Sequence, residues 1–237
     1  MSGWKSNKRF WKETTVAATD GGFQVLLDGR AVKTPAKAGL VLPTESMAQG
    51  VAAEWDAQGD EIAPLSMVVT RSANAAIDKV VHQHAEVADM LAAYGGTDLL
   101  CYRATEPQEL VQRQNELWNP VLDWAEGALG ARLVTAAGVM FIAQAEDHLE
   151  ALRAPIHAMS AFEVAAFHDL VSLSGSLILG YAAVHDMCPV EDIWQLSRLD
   201  ETWQIEQWGV DDEAAELAET KRLAFIHAHK FYQMAKT

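Results

Sequence analysis

The side chains that could support catalysis are scattered along the chain, and none of them forms a known catalytic spacing. His82 and His84 stand two positions apart, as do His227 and His229. On a helix, the two members of each pair point to different sides, which argues against a shared metal ion. The Ser174–Ser176 segment interrupts an apolar helical hairpin and is a poor place for a nucleophilic serine. The chain also lacks GxGxxG, GxxxxGK[ST], GxSxG and HExxH.

The acidic candidates for catalysis are equally isolated. Asp98 and Glu106 could act as general acids, but neither has a partner base at a defined spacing. Asp98 follows two glycines and a threonine, a pattern typical of a turn that an aspartate side chain caps. If the protein is an enzyme, its site must be assembled from distant residues, and Asp98, His168 and Asp169 are then the candidates. We expect no catalytic site, no metal and no cofactor.

The composition predicts a globular protein with an acidic surface. The chain has 237 residues, of which 50% are hydrophobic, and its formal net charge is −15. That length and apolar content allow a buried core, which excludes a disordered chain. A surface of this charge repels phosphate backbones and anionic lipid headgroups, and basic residues nowhere cluster densely enough to reverse the effect. We expect neither a nucleic-acid partner nor insertion into a membrane.

Cysteine usage and hydrophobicity predict an intracellular location. Cys101 and Cys188 have no CxxC companion, so neither a disulfide framework nor a zinc site is indicated. The uncharged apolar run from Leu170 to Val184 is too short to span a bilayer. The N-terminal residues show no secretory signal and no long transit peptide. We therefore expect a protein of the bacterial cytoplasm.

Two periodicities divide the chain and predict an α+β fold. Phe23, Val25 and Leu27 alternate with their neighbours before an Asp-Gly pair that is typical of a hairpin turn. From Thr44, a candidate helix cap, apolar residues recur at helical spacing. The pattern predicts a small antiparallel β-rich N-terminal domain, residues 1–68, and a larger mainly α-helical domain, residues 69–237. We expect Trp55 to be buried as an anchor between the first helix and the sheet.

Caps and helix breakers predict the elements of the helical part. Thr105 with Gln108, and Ser160 with Glu163, have the spacing of a capping box. The Asn119-Pro120 pair either kinks a helix or begins a new one. The segments that we expect to be extended, either as late strands or as a loop that returns to the sheet, are 133–135 and 139–142.

One predicted helix, from Pro189 to Gly209, is apolar on two faces. At about 100° per residue, the residues of one side are Ile193, Leu196, Leu199 and Trp203, and those of the opposite side are Trp194, Arg198, Glu201, Ile205 and Trp208. The helix is either a central one that packs on both sides, with Arg198 and Glu201 as an ion pair, or it presents a docking face of tryptophans and acidic residues. Exposure of the tryptophans distinguishes these alternatives.

Motifs along nearly the whole chain resemble one family, the chaperones that assemble the catalytic head of F-type ATP synthase by holding its free alpha subunit. The matching residues are Lys8–Lys12, Val25–Arg30, Lys33–Pro35, Leu42, Pro43, Ala53–Gln58, Pro64, Met67–Asp78, Tyr94, Thr97–Leu99, Cys101–Arg103, Leu199–Glu201, Gln204, Trp208 and Gly209. Each piece is weak alone, and their common order makes the resemblance specific. The family is known from mitochondria and from bacteria.

The resemblance implies a β-rich N-terminal domain joined to a helical one, no nucleotide or metal, and the unassembled alpha subunit as client. It also implies that an acidic residue before the Trp-Gly motif is important for chaperone function. Asp200 and Glu201 both fit that position. With the two-faced helix, this predicts the partner-binding residues Trp194, Asp200, Glu201, Ile205 and Trp208.

The predicted mechanism is that of a monomer that shields the alpha subunit and releases it to the beta subunit without ATP hydrolysis. Two alternatives remain beside it. One is the enzyme with dispersed residues, and the other is a permanent scaffold subunit of a complex.

Overall fold

The computed structural model describes residues 8–236 and has the predicted α+β architecture, with a small antiparallel sheet followed by helices. The described residues separate into two compact units. The first contains residues 8–83, 160–166 and 230–236, and the second contains residues 84–159 and 167–229. The predicted division into a β-rich domain, residues 1–68, and a helical domain, residues 69–237, stays a prediction. Residues 1–7, on which the expectation of no leader sequence partly rests, lie outside the described residues.

The sheet of the first unit is centred on its second strand. The strands are β1 (Thr14–Thr19), β2 (Gly22–Leu27), β3 (Arg30–Ala31) and β4 (Val41–Leu42), and β2 pairs antiparallel with each of the others. The predicted hairpin turn is confirmed, because Asp28 and Gly29 have φ values of 47° and 77°, as a type I′ turn requires. The Asp28 carboxylate accepts the N–H groups of Glu13 and Lys12. These bonds hold the pKa of that carboxyl below its usual range.

Helix α1 (Glu45–Asp56) covers β1 and β2 and begins at the predicted cap. Thr44 Oγ1 accepts the N–H of Met47 at 3.2 Å, and the Thr44 hydroxyl donates to the carbonyl of Met234 at 2.5 Å. Trp55 is half-buried, and its ring meets the ring of Trp11 edge-on with 5.2 Å between centroids. The late residue Met234 thereby becomes part of the first unit.

A long interrupted helix follows the Pro64 loop. It consists of α2 (Val68–Ala75), a π-helical segment (Ala76–Val80) and α3 (Val81–Ala92). The carboxylate of Glu54 accepts the N–H groups of Val69 and Thr70 at 2.7 and 2.8 Å. A carboxylate on the free N–H groups of a first turn stabilises a helix by hydrogen bonding and by its charge. Glu54 on α1 therefore fixes where α2 begins.

The remaining elements are mostly helices, joined to two short parallel strands. Their bounds are β5 (Tyr102–Arg103), α4 (Gln108–Leu129), β6 (Ala136–Ala137), α5 (Glu146–Ala158), α6 (Ala161–Ser174), α7 (Leu177–Val184), α8 (Val190–Ser197), α9 (Leu199–Trp208) and α10 (Asp212–Lys236), with short 3-10 turns at Pro64–Ser66, Ala93–Thr97 and Leu99–Cys101. Every residue of α7 is buried. At Gly180, a Cβ atom would lie 2.7 Å from the side chain of Val171, so only glycine allows this close packing.

The structure corrects one detail of the helical part and settles two others. Helix α4 begins at Gln108 without a side-chain cap, so the capping box expected from Thr105 is wrong. The late strand lies at Ala136–Ala137, between the two segments that were expected to be extended. Helix α4 continues through Pro120, because buried side chains on both sides of the proline hold it against the core. The capping box of Ser160 and Glu163 is confirmed by both of its hydrogen bonds.

Asp98 is the polar centre of the second unit and has no exposed surface. Its carboxylate accepts the N–H of Leu100 at 3.0 Å, the hydroxyl of Ser176 at 2.7 Å and the N–H of Ile178 at 3.1 Å. The turn-capping role is confirmed, and the same carboxylate also binds the first turn of α7. Burial raises the pKa of Asp98 above its usual range, and the three bonds oppose that effect.

Replacing Asp98 with alanine is expected to lower the free energy of unfolding by about 3–5 kcal/mol, since three buried donors would each lose their acceptor. Urea denaturation followed by circular dichroism measures the change. Asp60→Ala, at an exposed position of the first unit, is the control and should be nearly neutral. A loss below about 1 kcal/mol for Asp98→Ala would contradict the structural role.

Candidate functional site

The late helix that the sequence predicts as continuous is broken at Arg198 into α8 and α9. Arg198 has φ −107° and ψ 14°, and its N–H bonds to the carbonyl of Gln195. The carbonyl of Trp194, which a continuous helix would pair with that N–H, instead accepts the hydroxyl of Ser197 at 2.7 Å. A serine hydroxyl that competes for a helix carbonyl slightly destabilises the helix and often bends it.

The break gives the two halves of the segment different environments. Trp194 on α8 is 3% exposed and packs against the ring of Phe225 with 5.5 Å between centroids. On α9, Ile205 is 44% exposed and Trp208 is 79% exposed. Helix α8 therefore corresponds to the first alternative, a helix packed on both sides. The end of α9 has the exposed side chains that the second alternative requires, and its role in docking stays a prediction.

The two acidic residues of α9 also differ in environment. Asp200 is half-buried, and its carboxylate accepts the side-chain amide of Gln114 at 2.7 Å. Gln114 is itself buried and accepts the N–H of Ala104 at 2.8 Å. Burial lowers the pKa of the nearby Arg103, and the negative charge of Asp200 opposes that shift. Asp200 is thus part of the polar interior of the second unit.

Glu201 is directed toward solvent instead. Its carboxylate forms the predicted ion pair with Arg198 at 2.7 Å, and 43% of its side chain is exposed. The guanidinium of Arg198 also lies 5.8 Å from the centre of the Trp194 ring, a distance that allows a cation–π interaction. Glu201 therefore presents a negative charge on the surface at the start of α9.

An apolar groove of about 320 Å³ lies beside α9. Its walls come from α4, α8 and α9, and its lining residues are Arg113, Leu117, Asp192, Gln195, Leu196, Leu199 and Thr202. Arg113 forms an ion pair with Glu206 at 2.8 Å and stacks over the ring of Trp203 at 5.0 Å. We use the name α9 surface for two faces of α9: this groove on one face, and on the opposite face, at about 100° per residue, the side chains of Glu201, Ile205 and Trp208, with Val210 just beyond the helix.

Sequence reasoning missed several exposed apolar residues. Leu117 and Val210, which belong to the α9 surface, are both exposed. The run Val139, Met140 and Phe141 is exposed as well, and of the two alternatives, strand or loop, it forms the loop. The only signal was the apolar character of the run, which buried strands and exposed loops share.

The candidate residues for an enzyme have structural explanations. Asp98 is enclosed by the donors that it binds, while His168 and Asp169 form an exposed pair with 3.0 Å between Nδ1 and the carboxylate. That hydrogen bond raises the pKa of His168. Cys101 is buried, and burial raises the pKa of its thiol to about 12. An unreactive thiol of this kind packs as a small apolar side chain.

The part of the chain that the structure describes has neither a metal-binding cluster nor a helix that could span a membrane. Within residues 8–236, no group of three or more histidine, cysteine, aspartate or glutamate side chains could hold a metal ion. No helix of the same residues has both the length and the apolar content needed to cross a membrane.

Comparison with known proteins identifies the family. Residues 8–126 match the model of the ATP12 chaperone protein. The mitochondrial protein atp12 of Schizosaccharomyces pombe is 26% identical over 224 residues, which cover 90% of this chain and 77% of the relative. The chain belongs to the ATP12 chaperone family. This is the family of ATP synthase assembly chaperones that the sequence motifs resemble, so that recognition is confirmed.

Two solved structures support the same conclusion over nearly the full length. Atp12 from Paracoccus denitrificans is 43% identical, with a TM-score of 0.95 over 98% of this chain and 100% of that one. A variant of the same protein, in which one aspartate is replaced by lysine, gives the same identity and TM-score over 99% of this chain and 100% of that one. Helix α9 lies beyond the residues that match the family model, but within the parts covered by these structures.

The environments of Asp200 and Glu201 predict different losses of stability when the charge of each is reversed. Asp200→Lys should lower the free energy of unfolding by about 2–4 kcal/mol, because it leaves the buried amide of Gln114 without an acceptor and adds a cation near Arg103. Glu201→Lys should cost less than about 1 kcal/mol, the usual value of an exposed ion pair. Urea denaturation of both variants measures the difference. Asp200→Asn keeps one acceptor oxygen and should recover most of the loss; equal costs for the two lysine variants would show that the assignment is wrong.

Proposed function

We propose that this protein binds the free alpha subunit of F-type ATP synthase, shields its subunit interface and releases it to the beta subunit without ATP hydrolysis. We propose further that it has no catalytic site of its own. The observation that carries the proposal is Trp208, an indole 79% exposed at the end of α9, in a chain of the ATP12 chaperone family. Tryptophan is among the residues most enriched at the centres of protein interfaces.

The physical basis of this activity is protection of an unassembled surface. A subunit that lacks its partner exposes apolar area that would otherwise be buried, and such area promotes aggregation. The α9 surface offers apolar side chains and a groove, with the charges of Arg113 and Glu206 beside them. A chaperone that binds this area more weakly than the true partner is displaced by mass action, so no nucleotide is needed.

We propose two roles for the predicted partner-binding residues. Glu201, Ile205 and Trp208 contact the client directly, because they are the members with exposed side chains. Trp194 and Asp200 support α9 from the interior of the second unit. Trp194 packs on Phe225, and Asp200 accepts a hydrogen bond from Gln114. The second pair therefore fixes the position of α9.

Replacing Trp208 with alanine should weaken capture of purified alpha subunit by at least about tenfold, the effect of losing an aromatic hot spot. The thermal midpoint should not change, since the indole is exposed. Capture is measured by affinity pull-down, and protection by light scattering of the alpha subunit alone and with the protein. Phe10→Ala, which removes an exposed aromatic ring of the first unit, is the matched control. Wild-type capture by Trp208→Ala would refute the role of α9.

Charge reversal at Glu201 gives a second and independent test. Glu201→Lys should impair capture of the alpha subunit while the thermal midpoint stays nearly constant, because only an exposed ion pair is lost. A large fall in the midpoint would instead assign Glu201 a structural role.

A pull-down from native lysate, with free alpha subunit and complete synthase scored separately, distinguishes a chaperone from a permanent scaffold subunit. Stoichiometric recovery with the complete synthase would favour the scaffold.

We propose that the free protein is a monomer and acts in the bacterial cytoplasm. The fission yeast relative is named as a mitochondrial protein, and a bacterium has no such compartment. Size-exclusion chromatography with light scattering measures the oligomeric state, and a mass near 25.9 kDa is the expected result.

A further inference from the structure

A cleft in the first unit has properties that the α9 surface does not explain. Its volume is about 580 Å³, within the usual range of ligand-binding pockets. The walls come from the segment after β3, the end of α1, the Pro64 loop, α2 and the π-helical segment. Trp55 is among its lining residues, and we call it the Trp55 cleft.

The floor and rim of the Trp55 cleft include a set of apolar side chains. Met67 is buried, Trp55 and Ile62 are half-buried, and Leu65 at the rim is 80% exposed. A leucine with this exposure gains stability only when another apolar group covers it. The cleft can therefore accept an apolar side chain of a ligand.

The charge of the cleft is opposite to that of the whole molecule. Four exposed cations line it, Lys33, Lys37, Arg71 and Lys79. Asp78 is the single acidic residue among the lining residues that the structure describes. None of the four cations forms an ion pair with a carboxylate of residues 8–236. In a protein with a net charge of −15, an unpaired cationic cluster attracts and orients an anionic partner.

The third feature is a group of polar atoms without partners. Trp55 Nε1, Asn74 Oδ1 and Asp78 Oδ1 are buried and form no hydrogen bond with any of residues 8–236, whereas the other carboxylate oxygen of Asp78 accepts the N–H of Ala36 at 3.1 Å. Buried polar groups are nearly always paired in folded proteins. One donor and two acceptors match an extended peptide backbone, which offers a C=O and an N–H at each residue.

We propose that the Trp55 cleft binds an extended acidic peptide segment, with an apolar side chain against Trp55 and carboxylates beside the four cations. A small inorganic anion would use the cations but would leave the apolar floor and the two acceptors unmatched. The identification of the client as the source of the segment rests on the proposed function. The proposal that the cleft binds a peptide does not rest on the proposed function.

The first experiment uses defined peptides and the full chain. The probes are fluorescein-labelled nonapeptides in which leucine alternates with glutamate, glutamine or lysine, and binding is followed by fluorescence anisotropy. The glutamate peptide should bind about tenfold more tightly than the glutamine peptide, and its binding should weaken as salt rises. The lysine peptide should not bind detectably.

Variants test whether the peptide occupies this cleft. The double variant Lys33→Glu, Lys79→Glu should weaken binding of the glutamate peptide about tenfold or more. The matched control is Lys221→Glu, Lys230→Glu, which changes the net charge equally at exposed positions outside the cleft and should stay within about twofold of wild type. Ala75→Phe places a ring in the cleft and should abolish binding. Since Ala75→Phe also risks misfolding, the charge variants decide the question alone: equal effects of the two double variants would overturn the proposal.

Capture of the alpha subunit separates this inference from the proposed function. If cleft and α9 variants both reduce capture, the client supplies the peptide. If the wild type binds the glutamate peptide through the cleft but does not capture the alpha subunit, the proposed function fails and the cleft proposal stands. If Trp208→Ala reduces capture and the cleft variants do not, the proposal that the client supplies the peptide is overturned.

Discussion

The buried carboxylate of Asp98 begins a chain of hydrogen bonds on which the candidate site depends. Leu100 donates its N–H to Asp98 and accepts Arg103 Nε on its carbonyl at 2.8 Å. Arg103 Nη1 donates to the carbonyl of Gln114 at 3.1 Å, and the Gln114 side chain donates to Asp200. In a low-dielectric interior, such bonds are strong and leave few alternative arrangements. The first turn of α9 is therefore fixed by a carboxylate that lies far from it in sequence.

This arrangement explains how an assembly chaperone can hold exposed apolar side chains on a rigidly positioned helix. The polar network holds the base of α9, so Ile205 and Trp208 can remain exposed without a supporting core around them. Rigid presentation of apolar side chains reduces the entropy that is lost on binding. The Trp55 cleft of the first unit differs in chemistry, since its exposed charges are positive. A client with apolar and acidic features would meet a suitable surface on either unit.

The sequence predicts the fold class well because its local signals agree with the tertiary structure. The alternation in β2, the Asp28 turn and the Thr44 cap depend on residues within a few positions of one another. The break at Arg198 was not predictable from periodicity, since it depends on one hydroxyl taking one carbonyl. The same limit applies to the acidic pair. Asp200 and Glu201 are neighbours in sequence, and only a glutamine 86 positions away makes one of them interior.

The site was predicted in part for a related reason. Helical periodicity correctly indicated two apolar faces, but it could not show that Phe225 covers Trp194 while nothing in residues 8–236 covers Trp208 to the same degree. The Trp55 cleft was not predicted at all. Its cations are spread from Lys33 to Lys79, and they form a cluster only after the segment beyond β3 has packed beside α2.

The bond between Thr44 and Met234 has a consequence for synthesis of the chain. It joins residues 190 positions apart, and Met234 also lies against Gly50 on the same helix. A ribosome releases the chain from its N-terminus, and domains generally fold as they emerge. The first sheet and its helix therefore keep one flank uncovered during translation until Met234, 190 residues after Thr44, has left the ribosome.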